Sequence, residues 1–313
     1  MKMRYCFGVD VGGTTVKLGF FDEEGNLLEK WEIPTRTEDH GKNILPDVAA
    51  SILDKMKERE VSREDIAGVG IGAPGPVDAK GTVYVAVNLG WGTFSLKNEL
   101  QSLLNLPVEA GNDANVAALG EMWKGGGQGY SNVVAVTLGT GVGGGIIVDG
   151  KILSGATGAG GEIGHIHVMD DETEACNCGN CGCLEQYTSA TGIVRLAKRR
   201  LAEDDKPSVL RESGNISAKT VFDAVKDGDE LAIEVAERFG KILGKTLAGI
   251  AAVVNPEIFV IGGGVSKAGP VLLDYIQKNY TLYAFSGSRG ALFALATLEN
   301  DAGIYGAAKL VLD

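Results

Sequence analysis

The sequence predicts an α/β protein with two lobes, and three observations support this fold class. Segments with strand and helix patterns alternate along the chain, and an arrangement of strand, Gly/Thr turn and strand occurs twice. The length of 313 residues also exceeds that of one average domain. A chain of this order buries roughly three quarters of its unfolded surface. We therefore expect two lobes with a cleft between them.

The chain opens with a predicted β-hairpin. Residues 5–10 and 16–21 have strand patterns, and Gly12-Gly13-Thr14-Thr15 forms the turn between them. A helix is predicted over residues 43–58, because the apolar side chains of that segment fall on one helical stripe.

Two further strands precede the middle of the chain. Val69 to Ala73 form a buried strand pattern that ends in a turn-forming loop around Gly75. Residues 107–110 then lead into a helix that begins near Asp113. Loops at strand ends commonly carry functional residues, so both positions are candidates for a site.

The second half of the chain repeats the opening design. Residues 133–147 contain a strand, a Gly/Thr turn and a second strand, which indicates a weak internal repeat. A long, mostly apolar helical pattern over 230–254 ends at Asn255-Pro256. The strand pattern of residues 258–261 then leads into a third glycine-rich turn, Gly262-Gly263-Gly264.

The remaining segments complete the predicted domain organisation. Residues 203–214 are polar, charged and aperiodic, so we expect a surface connection without an assigned role there. We predict a small lobe over residues 1–117 and a large lobe over residues 118–301, which includes the cysteine-rich segment. The last residues, 302–312, have the pattern of a closing helix, and this C-terminal helix, about 302–313, is expected to pack on the small lobe.

Composition and charge exclude several classes of protein. The net charge of −12 disfavours nucleic acid as a partner, since affinity for a phosphate backbone needs clustered Lys and Arg. No apolar run approaches the roughly 20 residues that span a bilayer, so we expect no membrane insertion. The start, Met1-Lys2-Met3-Arg4, is basic, but Asp10 interrupts the apolar stretch that follows. We therefore expect no secretory signal and a cytoplasmic protein.

The first two glycine-rich turns have the composition of phosphate-binding loops. Asp10-Val11-Gly12-Gly13-Thr14-Thr15 and Leu138-Gly139-Thr140-Gly141-Val142-Gly143-Gly144 combine glycines, which let backbone N–H groups approach a ligand, with hydroxyl donors. Each alone could be a tight hairpin turn, but two at matching positions favour a polyphosphate ligand. Neither turn has the Walker pattern or the dinucleotide fingerprint, which indicates a third kind of nucleotide-binding fold.

A second motif is Asn112-Asp113-Ala114-Asn115, which places a carboxylate and two amides at a helix start. Asp and Asn are well suited to cap a helix, so a purely structural role is one interpretation of this motif. A carboxylate in this place is also suited to accept a proton during phosphoryl transfer.

The third motif has the composition of a metal site. His165 is followed by four cysteines between Cys176 and Cys183, a cramped arrangement for disulfides but a suitable one for Zn²⁺. One His and three thiolates make a closed, tetrahedral, structural site. Cys181 and His167 are rival ligands, and reduced cysteines without a metal are the alternative.

Together these motifs resemble the actin-like sugar kinases of the ROK family and, within it, its glucokinase branch of Gram-positive type. The resemblance covers essentially the whole chain. It implies an actin-like (ribonuclease H-like) fold and transfer of the γ-phosphoryl group of ATP to the 6-hydroxyl of glucose, with Mg²⁺ bridging the ATP phosphates. In such proteins the aspartate that corresponds to Asp113 is the general base, and the asparagine that corresponds to Asn112 holds neighbouring hydroxyls.

The resemblance also implies sets of binding residues. The sugar-binding residues are Gly75, Asn88, Asn112, Asp113, Glu162, His165 and Glu185. The ATP-binding residues are Asp10, Gly12, Gly13, Thr14, Thr15, Lys17, Thr137, Gly139, Thr140, Gly141, Gly262, Gly263 and Gly264, of which the last three contact the adenosine. The zinc ligands are His165, Cys176, Cys178 and Cys183, which leaves Cys181 outside the family's ligand set.

Alternatives within and outside this class remain. Fructokinases and N-acylhexosamine kinases of the same family share this layout, and homodimers are common among them. The sugar-responsive repressors of the family carry an N-terminal helix-turn-helix domain, for which we expect no room before the strand that begins at Tyr5. An actin-like filament protein is disfavoured, because it has no need for Asp113, Glu162 and Glu185 around a zinc loop. Closure of the two lobes on sugar is expected to limit hydrolysis of ATP by water.

Overall fold

The protein is described by a computed structural model that covers residues 4–312 and forms two compact units. Met1 to Met3 and Asp313, which belong to the predicted small lobe and C-terminal helix, lie outside the described residues. The first unit comprises Met1–Gly129, Gly145–Gly161 and Leu298–Asp313, and the second comprises Tyr130–Gly144 and Glu162–Thr297. Within residues 4–312, no helix has both the length and the apolar character needed to cross a bilayer.

Strands and helices alternate along the chain, as the α/β class requires. The strands are β1 Tyr5–Val11, β2 Thr15–Asp22, β3 Leu27–Pro34, β4 Ile66–Ala73, β5 Thr82–Val83, β6 Phe94–Ser95, β7 Val108–Asn112, β8 Val133–Leu138, β9 Val142–Val148, β10 Lys151–Ile152, β11 Ile258–Gly262 and β12 Leu292–Leu295. The helices are α1 Glu38–Gly41, α2 Ile44–Glu58, α3 Leu96–Leu104, α4 Asp113–Lys124, α5 Glu185–Thr188, α6 Ala190–Leu201, α7 Val209–Glu212, α8 Ala218–Lys226, α9 Glu230–Val254, α10 Pro270–Tyr283 and α11 Ala302–Lys309.

The first unit is built on a five-stranded sheet with the order β3-β2-β1-β4-β7. Strands β1, β2 and β3 form antiparallel pairs, whereas β4 is parallel to β1 and to β7. The predicted hairpin is therefore confirmed, with Asp10 opposite Lys17 beside the turn. Apolar side chains of α2, including Val48 and Ile52, are fully buried in the same core. The predicted apolar stripe of α2 is confirmed as well.

Helix α11 belongs to the first unit and lies unusually close to its strands and to α4. A Cβ atom at Gly8 would lie 2.0 Å from the carbonyl oxygen of Ile304, and one at Gly70 would lie 1.7 Å from that of Ala307. Only glycine permits such an approach of a helix backbone to a sheet. The closing helix predicted at the C-terminus is confirmed, and it ends at Lys309.

The second unit contains a sheet in which β9, β8, β11 and β12 are neighbours in this order. Strand β11 is parallel to both β8 and β12. Only the first three residues of β9 belong to this unit. The rest of β9 belongs to the first unit, where its last residues pair with β10. Helix α9 covers the predicted range, ends at Val254 and is capped by Asn255, which has the left-handed φ of 44°. Helix α10 packs on it closely, because a Cβ at Gly240 would lie 2.5 Å from the carbonyl oxygen of Tyr275.

The structure adds detail to the predicted chain organisation. The segment 203–214, predicted as a surface connection, contains the short helix α7, whose Leu210 is 2% exposed. Two adjacent apolar residues in a polar stretch, Val209 and Leu210, gave too weak a pattern to predict this turn of helix. The predicted lobe division after residue 117 stays a prediction, while the compact units divide the chain elsewhere, and α4 lies wholly in the first unit.

Candidate active site

The first Gly/Thr turn presents an open backbone surface. The N–H of Gly12 donates to the carbonyl oxygen of Thr15 at 3.0 Å, which closes the turn, and a Cβ atom at Gly13 would meet nothing within 4 Å. Burial raises the pKa of Asp10, and the charge of Lys17 opposes that shift. The Lys17 ammonium itself donates to the carbonyl oxygen of Asn300 at 3.0 Å. The turn therefore leaves open space at Gly13, whereas Gly12 lies against the carbonyl oxygen of Thr15.

The second and third glycine turns lie side by side in the second unit. The N–H of Gly139 donates to the carbonyl oxygen of Gly141 at 3.0 Å. Thr137, at the end of β8, pairs with Gly262 at the end of β11. Gly263 has a φ of 82°, and a Cβ atom there would lie 2.5 Å from the carbonyl oxygen of Leu138. Two predicted ATP-binding turns are thus brought together by the pairing of two parallel strands.

The Asn112-Asp113 motif is divided between a cap and a helix start. The side-chain oxygen of Asn112 caps α4 by accepting from the N–H of Asn115 at 3.1 Å. Asp113 is the first helical residue, and its Oδ1 accepts from the N–H of Ala114 at 2.7 Å and from Asn112 Nδ2 at 3.0 Å. The capping role that the sequence allowed for this motif therefore belongs to Asn112. The carboxylate of Asp113 is held at the positive end of the helix dipole.

Gly75 and Asn88, the other predicted sugar-binding residues of the first unit, have different surroundings. The carbonyl oxygen of Gly75 accepts from Asn112 Nδ2 at 3.0 Å, so this loop lies directly at the Asn112-Asp113 motif. Gly75 has a φ of 85°, and a Cβ atom there would lie 2.1 Å from the carbonyl oxygen of Val85, so no other residue fits. Asn88 is exposed and lies on the 3₁₀ turn Val87–Leu89, whose Leu89 is buried.

Four residues of the second unit form a group with the composition of a zinc site. Ligand atoms of His165, Cys176, Cys178 and Cys183 all lie within 4.8 Å of one another. His165 Nδ1 is 3.8 Å from the thiol sulfur of Cys176, and the sulfurs of Cys178 and Cys183 are 3.6 Å apart. Three soft sulfur atoms and one imidazole nitrogen converging on one point fit the tetrahedral preference of Zn²⁺.

The two rival ligands have other contacts in the structure. His167 donates from Nδ1 to the carbonyl oxygen of Cys181 at 3.0 Å, and its Nε2 lies 3.0 Å from Asp170 Oδ1. The hydrogen bond to Asp170, and then that to Cys181, raise the pKa of His167. Neither His167 nor the Cys181 sulfur belongs to the group of four.

Glu162 and Glu185 each lie beside one member of this group of four. The Nε2 atom of His165, on the opposite side of the ring from Cys176, is 3.9 Å from Glu162 Oε2. Glu185 accepts from the Cys176 thiol at Oε1, at 3.1 Å, and from the N–H of Val142 at Oε2, at 3.2 Å. Glu185 therefore joins the cysteine group to the second glycine turn.

Sequence reasoning missed a buried carboxylate in the same segment, Glu172. Its side chain is 2% exposed and contacts Tyr187, Arg195 and Arg199. Burial opposes its charge, but hydrogen bonds from Tyr187, from the N–H of Glu174 and from Arg199, together with the neighbouring Arg195, lower the pKa of Glu172 to about 2. The only signal in the sequence is the spacing of the two arginines, four residues apart on one helix face.

Two strand-turn-strand arrangements, a carboxylate at a helix start and a group of one histidine and three cysteines agree with the expectation of an actin-like sugar kinase. The profile of the ROK family matches residues 6–313, so the chain belongs to the ROK family.

Proteins similar to this chain include sugar kinases. The chain is 45% identical over 316 residues to a glucokinase of Halalkalibacterium halodurans, covering 99% of this chain and 96% of that protein. It is 38% identical to a glucokinase of Streptomyces coelicolor, with 98% of both chains covered. The crystal structure of a ROK family glucokinase from Streptomyces griseus in complex with glucose and AMPPNP is similar at a TM-score of 0.74, with 36% identity and 98% of both chains covered.

Proposed function

We propose that this chain is an ATP-dependent glucokinase, which transfers the γ-phosphoryl group of ATP to the 6-hydroxyl of glucose and yields glucose 6-phosphate and ADP. The observation that carries the proposal is the carboxylate of Asp113, held at the start of α4 by Asn112 and by the N–H of Ala114. The 45% identity to a glucokinase along nearly the whole chain supports glucose as the acceptor.

In the proposed reaction Asp113 is the general base. Its carboxylate accepts the proton of the sugar 6-hydroxyl while that oxygen attacks the γ-phosphorus, and the bond from this phosphorus to the bridging oxygen of ADP breaks. A well-placed base contributes about 10²- to 10⁴-fold to such a rate. Asn112 holds a neighbouring hydroxyl and keeps the Asp113 carboxylate in place through its amide.

The glycine turns hold the nucleotide in this proposal. The turn of Asp10 to Thr15 and the turn of Thr137 to Gly141 bind the phosphates of Mg·ATP through backbone N–H groups and hydroxyls. The turn of Gly262 to Gly264 contacts the adenosine. Support comes from the open space at Gly13 and from the close approach of Gly263 to Leu138. Phosphoryl transfer depends mainly on such positioning and on neutralisation of charge.

We assign structural Zn²⁺ to His165, Cys176, Cys178 and Cys183. A closed four-ligand site has no open position for a reacting water, so its contribution is to folding, on the order of 10 kcal/mol of apparent binding free energy. His165 would then donate from its other ring nitrogen to a sugar hydroxyl, and Glu162 and Glu185 would accept from further hydroxyls. Gly75 and Asn88 complete the proposed set of sugar-binding residues.

Another hexose is the alternative acceptor, as in fructokinases and N-acylhexosamine kinases. A ring of buried hydrogen-bonding groups discriminates between such sugars, because each unpaired buried partner costs about 1 to 3 kcal/mol. A sugar-responsive protein without kinase activity is the second alternative, and it would bind glucose without turnover.

We further propose a cytoplasmic, homodimeric enzyme that supplies glycolysis. Support for a dimer comes from α9, on which Val253 is 83% exposed beside a groove of about 930 Å³ between this helix and residues 166–170. Light scattering coupled to size exclusion measures the mass directly. A mass of one chain at all working concentrations would contradict the dimer.

The test of the proposed function is an assay of ADP release with Mg·ATP across glucose, mannose, fructose, N-acetylglucosamine and N-acetylmannosamine. We expect glucose to react fastest, and we expect Asp113→Asn to lower kcat at least about 10²-fold, because an amide cannot accept the proton. If no sugar is phosphorylated while glucose still binds by calorimetry, the kinase proposal fails and the sugar-responsive protein takes its place.

A further inference from the structure

A buried ion network lies beside the cysteine group of the second unit. Glu172 Oε2 is 2.7 Å from Arg195 Nη2, an ion pair without the alignment of a hydrogen bond, and 3.2 Å from Arg199 Nη1. Tyr187 donates its hydroxyl to the same carboxylate oxygen. Glu172 Oε1 accepts from the N–H groups of Thr173 and Glu174, both at 3.0 Å. Every partner of Glu172 named here is a hydrogen-bond donor or a cation, so this side chain is held as a carboxylate.

The network connects two segments that carry proposed site residues. Glu172 precedes Cys176 by four residues, whereas Tyr187 lies on α5 and both arginines lie on α6. A second connection runs in parallel, since Gln186 of α5 accepts from the N–H of Cys183 at 3.0 Å and donates to the carbonyl oxygen of Glu174 at 2.8 Å. The cysteine segment, residues 172–183, is therefore hydrogen-bonded to α5 both before Cys176 and at Cys183.

Helix α5 in turn carries Glu185, two residues before Tyr187. The carboxylate of Glu185 accepts from the N–H of Val142 at 3.2 Å, and Ala190, at the start of α6, donates its N–H to the carbonyl oxygen of Gly139 at 2.8 Å. A displacement of α5 would thus move Glu185 relative to the cysteine group and to the second glycine turn.

The energetics make this arrangement sensitive to the charge of Glu172. A buried ion pair adds little when it is complete, but removal of one partner leaves the other charge buried without compensation. Arg195 is 18% exposed and keeps only the exposed Glu174 as a charged partner when the Glu172 charge is removed. Loss of that charge therefore removes the buried partner of both arginines and weakens the connection between Glu172 and α6.

We propose that Glu172 is a positioning residue that holds the cysteine segment on α5 and α6 and thereby sets the retention of the metal and the placement of Glu185. The effect on the metal follows from this network alone. The effect on sugar affinity rests on the proposed function as well.

The test compares Glu172→Gln with Glu174→Gln in the full, zinc-loaded chain. Glu174 is a matched control, because its Oε2 lies 2.6 Å from the same Arg195 while its side chain is 69% exposed. Two quantities are measured: the rate of zinc transfer to a colorimetric chelator, and the KM and kcat for glucose and for ATP.

We expect Glu172→Gln to speed zinc transfer about 10-fold and to raise the KM for glucose about 10-fold, as is typical when the groups that support metal ligands are removed. The KM for ATP and all values of Glu174→Gln should stay within about 2-fold of wild type, since an exposed ion pair contributes little. A general loss of stability would instead lower active-enzyme concentration and leave both KM values unchanged.

A second variant, Tyr187→Phe, removes one hydroxyl from the network and keeps every charge. We expect the same two changes at about 3-fold, in line with the modest contribution of one hydrogen bond. If Glu172→Gln does not fold and Tyr187→Phe behaves as wild type, Glu172 has a structural role only and the proposal is wrong. The proposal is equally wrong if Glu172→Gln matches Glu174→Gln in both measurements.

The two proposals fail in different ways. If wild type phosphorylates no sugar but Glu172→Gln still loses zinc faster than the control, the kinase proposal fails and the positioning role holds for the metal. If wild type is an active kinase and no variant differs from the control, the positioning role fails alone.

Discussion

In the Asn112-Asp113 motif, one residue caps α4 and the other presents a carboxylate, and the sequence could not assign these two roles. Asn112 is 7% exposed and supplies the cap, while its amide also donates to the carbonyl oxygen of Gly75 and to Asp113. Asp113 is therefore released from capping, and its carboxylate is oriented by a neighbour that is itself fixed on both sides. A general base needs this kind of support, because a small displacement removes it from reach of the proton.

The substitution Gly13→Ala adds one methyl group and tests whether the first glycine turn binds ATP. A Cβ atom there meets nothing within 4 Å, so Gly13→Ala should change the free energy of unfolding by no more than about 0.5 kcal/mol. The same methyl group would lie where we propose the ATP phosphates bind. We expect the KM for ATP to rise at least about 10-fold, because backbone N–H groups could no longer approach the phosphates.

The control for Gly13→Ala is Gly92→Ala, which also has open space around the added Cβ and lies outside the proposed ATP-binding set. Urea titration gives the stability of both variants, and initial rates give the KM for ATP. An unchanged KM in Gly13→Ala would remove this turn from the nucleotide site.

At the scale of structural elements, the turns of the cysteine segment determine which of its cysteines lie close together. Gly179 and Gly182 adopt φ values of 91° and 77°, and a Cβ at Gly182 would lie 2.1 Å from the carbonyl oxygen of Met169. These turns bring Cys176, Cys178 and Cys183 together. The carbonyl group of Cys181, by contrast, accepts from His167, and its sulfur is outside the group of four.

We expect Cys181→Ser to retain one zinc per chain and Cys183→Ser to lose it, because a hydroxyl is a poor replacement for a thiolate ligand. Metal content by mass spectrometry measures both outcomes. Removal of zinc from wild type with a strong chelator should likewise lower the melting temperature, since binding of a structural metal stabilises the fold. Retention of zinc by Cys183→Ser together with its loss from Cys181→Ser would reassign the ligands.

Helix α9 depends on a charged cap at its start. Burial opposes the charge of Asp229, but hydrogen bonds from the N–H groups of Ala232 and Val209 and from Ser208 lower the pKa of this carboxyl. A carboxyl with a lowered folded-state pKa stabilises the fold above its unfolded value of 3.8 and loses this effect as the pH falls through the folded value. We expect Asp229→Ala to cost about 1 to 2 kcal/mol at pH 7.

The pH dependence of this cap is measured by urea unfolding of wild type and Asp229→Asn. The difference in the free energy of unfolding should be constant from pH 6 to pH 8 and should shrink below about pH 4. Protonation of the cysteine segment is common to both proteins and cancels in the difference. Asp205→Ala, at an exposed position, is the control. A difference that grows as the pH falls would contradict the cap.

For the molecule as a whole, the first unit is completed by the last residues of the chain. Its three segments, Met1–Gly129, Gly145–Gly161 and Leu298–Asp313, include α11, which packs on α4 so closely that a Cβ at Gly306 would lie 1.7 Å from the carbonyl oxygen of Val116. The contact is between two backbones, so no side chain can move aside to relieve it.

We therefore expect Gly306→Ala to lower the free energy of unfolding by about 3 kcal/mol, at the upper end of the cost of overpacking a core. Gly249→Ala is a control with the opposite sign. Gly249 lies in α9 with open space around an added Cβ, so alanine should stabilise the protein by about 0.5 to 1 kcal/mol through its higher helix propensity. Urea titration of both variants measures the difference. Equal stabilities of the two variants would contradict the close packing of α11.

The sequence by itself determined the features that depend on neighbours in the chain. The hairpin of β1 and β2, the range of α9, the glycine turns and the grouping of cysteines all follow from residue spacing, turn composition and hydrophobic period over a few residues. Only the tertiary structure decided that Asn112 caps α4 while Asp113 is the first residue of that helix. It also decided that Glu172, within an acidic run of surface character, is buried on two arginines. The physical reason is that burial and close approach depend on residues distant in sequence, and a local pattern carries no record of them.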